Sequence, residues 1–143
     1  MKLTNTQNMK SKSGMTLLEL TVVILVLLSL ISILFIGARA WKKGSDRSTN
    51  ILNIRNAQQA VRGHANMQNL TEGTGVCTEA IIYGAASDGV GAYLRKPAPP
   101  ATAITSYTGG GTVPTAGVLW LTAAYTGTGE VDYAPATTLT ADW

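Results

Sequence analysis

The 19 residues from Leu20 to Ala38 carry no charge. As a helix rising about 1.5 Å per residue they approach the roughly 30 Å hydrocarbon core of a bilayer, so the run is long and apolar enough to span a membrane. Ser13-Gly14-Met15-Thr16-Leu17-Leu18-Glu19 leads into it and places a carboxylate at its edge. An unpaired acid costs roughly 2 to 3 kcal/mol near the bilayer centre and less toward the interface. Two explanations stand open: Glu19 lies at the headgroup level, or it meets a cation. The chain supplies a cation if it is cut after Gly14, because the new α-amino group on Met15 lies four residues from Glu19, on the same helix face. In a stack of such helices, the amine of one chain can equally meet Glu19 of its neighbour.

A chain of 143 residues is one domain's worth, and 45% hydrophobic against 13% charged residues is explained by that one concentrated run. The net charge of +3 resides in the leader: Lys2, Lys10 and Lys12 precede Gly14 without an acid, and the remaining bases match the acids in number. Beyond the apolar run the charges are segregated. Arg39, Lys42, Lys43, Arg47, Arg55 and Arg62 oppose only Asp46, whereas residues 63–143 carry Arg95 and Lys96 against Glu72, Glu79, Asp88, Glu130, Asp132 and Asp142. A basic stalk thus joins an acidic head. Without an aromatic cluster or a groove-reading element, the stalk charges are expected to face acidic heads of neighbouring copies rather than nucleic acid.

This patterning divides the chain into four segments. Residues 1–14 read as a polar leader, 15–38 as a membrane helix, 39–70 as its amphipathic continuation and 71–143 as a small β-rich head. Ile51, Ile54, Ala57, Val61 and Ala65 recur at steps of three and four, with Arg55, Gln58, Gln59 and Arg62 on other faces, so one helix is expected from Met15 to about Leu70. Gly37, Gly44 and Gly63 weaken it, and Gly44-Ser45-Asp46 is the expected place for a bend or restart. In the head, Val118 to Tyr125 and Ile104 to Tyr107 read as strands, Glu130 to Tyr133 as a third, and Thr78 to Tyr83 as a helical turn or two. The expected class is α+β, with an antiparallel head too poor in large apolar residues to fold without the helix.

Chemistry has little support in the residue set. Cys77 is the single cysteine and His64 the single histidine; with no third orienting group, Cys77 reads as a small buried residue and His64 as a solvated or interfacial one, and no enzyme is expected. Glu130, Asp132 and Asp142 are weak calcium candidates, because acids flanking turns are usually solvated and this spacing fits no ligand template. No other cofactor is expected. Ala38-Arg39-Ala40 has the small-x-small form of a signal-peptidase site that would release a chain at Trp41, but the apolar run is too long and Arg39 sits at the cut. Asn69-Leu70-Thr71 is a sequon that carries no weight here.

Lys10-Ser11-Lys12-Ser13-Gly14, then Met15-Thr16-Leu17-Leu18-Glu19-Leu20 and a long apolar run, resembles the leader and helix start of the type IV pilin and pseudopilin superfamily. The resemblance implies a prepilin peptidase that cuts after Gly14 and methylates Met15, and a role for Glu19 in assembly of a helical filament. It further implies an inner-membrane assembly platform and fellow pilins as partners, with the N-terminus cytoplasmic and the head periplasmic. Met15 stands where phenylalanine is usual. Ile36 stands where major members commonly carry a helix proline, which leaves Gly37 as the weak point, and Cys77 alone cannot make the head disulfide frequent in surface pilins. These last two departures favour a pseudopilin of type II secretion over a type IV pilus subunit for adhesion, motility or DNA uptake. Trp41-Lys42-Lys43-Gly44 and Asn53-Ile54-Arg55-Asn56-Ala57-Gln58-Gln59-Ala60-Val61 are similar to pseudopilin-type sequences, a weaker signal.

Overall fold

A helix that starts beside a threonine and stops at a left-handed asparagine dominates the chain. The computed structural model describes residues 14–86 and 92–143, so most of the expected leader, and Asp88, lie outside the described residues. Helix α1 is Leu17–Gln68. Thr16 caps it, its Oγ1 accepting the Glu19 amide at 3.2 Å. At the far end Asn69 has φ 51°, and the Leu70 amide reaches back to the Ala65 carbonyl at 2.9 Å, the closure of a helix on a left-handed residue. Expected and observed ends agree within two residues. The expected restart at Gly44-Ser45-Asp46 is not there: α1 runs through it, because Asp46 pairs with Lys42 at 2.9 Å rather than capping a new turn. The chain falls into two units, Met1–Arg39 and Ala40–Trp143.

Within the second unit the fold is α+β. After α1 come α2 (Glu79–Tyr83), β1 (Ile104–Gly109), β2 (Leu121–Tyr125), α3 (Gly129–Tyr133) and α4 (Thr137–Thr140). Strands β1 and β2 pair antiparallel from Ile104 opposite Tyr125 to Gly109 opposite Leu121, with an irregularity between Ile104 and Ser106. Two strands alone are marginal in water. Their buried residues Ile104, Tyr107 and Leu121 join Ile54, Ala57, Val61 and Ala65 of α1, together with Ile82, Tyr83, Val113 and Trp120, in one core. The amphipathic half of the helix therefore supplies much of the head's interior.

Two strand expectations need correction. The Glu130 to Tyr133 segment is helical, not a strand: the Asp132 amide bonds the Thr128 carbonyl at 3.1 Å, and the Thr128 hydroxyl bonds Asp132 Oδ2 at 3.0 Å. The Val118 to Tyr125 strand begins only at Leu121: the Val118 carbonyl and the Trp120 amide are bonded to Gln58 of α1, and only the Trp120 carbonyl faces the other strand, accepting the Gly110 amide at 2.8 Å. Gly109 and Gly110 make room for Trp120. A Cβ on Gly109 would stand 2.6 Å from the Trp120 ring and 2.8 Å from Glu79 Cγ.

Candidate functional site

In the first unit the chemically distinct feature is the start of α1. Gly14, Met15 and Thr16 precede the helix without regular structure, and all three are exposed, so the Gly14–Met15 bond is accessible to a protease. From Leu17 to Ile36 every side chain of α1 is exposed, and Leu17, Leu18, Leu25, Leu34 and Ile36 are each more than two-thirds so. The helix contains a stretch long and apolar enough to cross a membrane. Its hydroxyls are self-satisfied: Thr21 donates to the Leu18 carbonyl, Ser29 to Val26 and Ser32 to Leu28, each at 2.8 Å. Glu19 differs, since among the described residues no donor or cation reaches its carboxylate. Thr16 satisfies the Glu19 backbone and leaves the side chain free.

The second unit binds its helix through amides as well as apolar contacts. Gln58 is 2% exposed; its Oε1 accepts the Trp120 amide at 2.9 Å and its Nε2 donates to the Val118 carbonyl at 3.2 Å. One side-chain amide thus takes the place of a neighbouring strand. Asn50 is fully buried, accepts the Tyr107 hydroxyl at 2.6 Å, and donates to the Tyr125 hydroxyl at 3.2 Å and the Tyr133 carbonyl at 2.9 Å. Asn53 adds a donor to the Tyr107 hydroxyl at 3.4 Å. Periodicity alone puts Gln58 on an outer face and passes over Asn50. Their spacing carried the signal, since each lies four residues from Ile54, but their polarity masked it.

The remaining candidates have structural partners. Cys77 is buried, its thiol pushed up to about 11 by desolvation and so neutral at pH 7, while its carbonyl accepts Trp120 Nε1 at 3.0 Å. His64 is 9% exposed and lies within hydrogen-bond reach of the Tyr93 hydroxyl, Nδ1 to oxygen 3.0 Å. The calcium candidates do not converge. Asp132 meets the Lys43 ammonium at 2.7 Å, which holds its carboxyl below the ordinary range, whereas Asp142 lies beside Arg55 and Arg62. Among the described residues no group of three or more His, Cys, Asp or Glu is placed to hold a metal ion.

The head also holds an inner ion pair. Glu79 accepts the Gly109 amide and the Lys96 ammonium. Burial opposes its ionisation, but these two donors outweigh it and hold the carboxyl below its ordinary 4.5.

No protein-family model matches the sequence, and neither a curated protein nor a solved structure matches the chain.

Proposed function

We propose that this chain is a structural subunit of a pilin-like helical filament, a pseudopilin of a type II protein secretion system, without chemistry of its own. The observation that carries the proposal is Glu19: a carboxylate without a partner among the described residues, at the head of a helix stretch that is otherwise uncharged to Ala38 and exposed to Ile36, four residues from an accessible Gly14–Met15 bond. Cleavage after Gly14 creates an amine on Met15, and the amine of an adjacent subunit neutralises Glu19 on assembly. The charge that is costly in lipid becomes paired only in the filament. Prepilin peptidase performs the cut and the N-methylation, an inner-membrane platform receives the subunit, and the head faces the periplasm.

The free, buried Cys77 favours this reading over a surface pilus, whose subunits must survive shear and commonly brace the head with a disulfide. Deletion of the gene is expected to block export of one or more folded proteins while leaving surface fibres and twitching motility intact. Lost fibres with an unchanged secretome would replace the pseudopilin by a type IV pilin. Glu19→Ala is expected to be processed and inserted normally but to enter filaments poorly. Wild-type filament yield would remove Glu19 from assembly.

A further inference from the structure

A cavity of about 210 Å³ on α1 is lined by Arg55, Gln58, Gln59, Arg62, Asp142 and Trp143. Gln58 is already spent on the head's backbone, whereas Arg55 and Arg62 make only looser contacts. The Arg55 guanidinium lies 5.3 Å from the centre of the Trp143 ring. Arg62 reaches Glu72 only at 3.9 Å through Nη1, and its Nη2 is buried without a hydrogen-bond partner among the described residues. Nη2 is closed off by the protein itself, but the Arg62 side chain is 38% exposed and only loosely paired, so its outer edge can take an oxygen from outside the chain. The cavity is thus a socket lined by two cations, above a Trp143 ring that is itself only 9% exposed and faced by Arg55.

The matching projection is on α3. Among the described residues of the second unit, Asp46 pairs with Lys42, Glu79 with Lys96 and Asp132 with Lys43, while Glu72 reaches Arg62 of its own chain only at 3.9 Å. Glu130 and Asp142 have no such pair there, and Asp142 already lines the socket. Next to Glu130, Val131 is 83% exposed. The segment is pinned from behind: Asp132 by Lys43 at 2.7 Å, the Tyr133 carbonyl by Asn50 at 2.9 Å, the Ala134 carbonyl by Arg47 at 3.5 Å. Gly129 presses on Ala103, whose carbonyl would stand 2.8 Å from an added Cβ. Glu130 and Val131 are therefore presented on a fixed support, at little entropic cost on binding.

We propose that the Glu130–Val131 projection of one copy seats in the Arg55–Arg62–Trp143 socket of another, with the carboxylate on the exposed edge of the Arg62 guanidinium and the valine at the socket's rim. It rests on the filament reading above and names the surfaces that meet. The projection is tied to α1 at residues 43–50 and the socket lies at 55–62, roughly 18 Å farther along at 1.5 Å per residue. One chain therefore cannot fill its own socket. Contact between two different patches is heterologous and, unless its rotation closes a ring, propagates as an open helical array.

Cysteine pairing in assembled full-length protein tests this. With Glu130→Cys and Arg62→Cys combined, mild oxidation should give a ladder of disulfide-linked multimers, while each single variant and a Glu72→Cys/Arg95→Cys control give none. Buried Cys77 supplies no background. Charge reversal gives a second readout: Glu130→Arg or Arg62→Glu lowers filament yield about tenfold, and the two together restore it to within about threefold. Asp142→Asn raises the yield, since that acid opposes the incoming carboxylate. Normal filaments without a ladder, or without rescue in the double reversal, overturn the proposed contact and leave the filament reading intact. An unmutated protein that never assembles overturns both.

Discussion

The two halves of α1 treat polar groups in opposite ways. From Leu17 to Ile36 the hydroxyls bond their own helix and every side chain is left exposed, whereas from Asn50 to Ala65 seven residues are buried, and the amides among them bond the head. A helix that satisfies its hydroxyls internally can present a uniformly apolar surface to lipid or to other helices. One that offers amides outward can substitute for a missing strand. Among the described residues the head has two strands, and Gln58 and Asn50 supply the backbone and hydroxyl partners that a larger sheet would provide.

Substitutions in the two halves should therefore separate cleanly. The largest effect is expected at Trp120, which is 2% exposed and packs on Tyr83: Trp120→Ala should cost about 3 to 5 kcal/mol, enough to unfold so small a head. Leu25→Ala, on the exposed half, should leave head melting unchanged, and an equal loss there would break the comparison. Gln58→Leu comes next, because it orphans the Trp120 amide and the Val118 carbonyl. The expected loss is about 1 to 3 kcal/mol, read as a lower denaturation midpoint.

Acid should act on the head through Glu79. Its carboxyl is held below 4.5 in the folded chain, so its contribution is complete above that pH and is lost as the pH falls through the depressed value. Melting temperature should drop below about pH 4.5, and Glu79→Gln should flatten that part of the profile. An unchanged profile would mean that the Lys96 and Gly109 contacts add nothing. The smallest effect is at Tyr83, whose buried hydroxyl has no partner among the described residues. Tyr83→Phe should be neutral or stabilising by about 1 kcal/mol, and a marked loss would reveal a hidden acceptor.

The sequence was readable where a side chain's chemistry and its position agreed. Ile54, Ala57, Val61 and Ala65 are apolar, periodic and buried, as expected. Asn50 and Gln58 share their face but not their polarity, so the pattern hid the two residues that tie the head to the helix. Glu130 to Tyr133 looked like a strand because Val and Tyr favour one, but among the described residues no strand pairs with it and Thr128 closes a helical turn instead. The Arg62 socket was illegible for another reason: it joins α1 to residues about 80 positions later, a juxtaposition only the fold reveals. Gly14, Met15 and Glu19 are the reverse case, proposed from local sequence alone because the chemistry proposed for them needs only adjacency.

Intact-mass measurement of membrane-purified protein tests the central claim most directly. The account predicts a chain that begins at N-methylated Met15, having lost residues 1–14, and predicts that altering Gly14 leaves the full-length precursor in the membrane. A mature chain starting at Met1 or at Trp41 would contradict it.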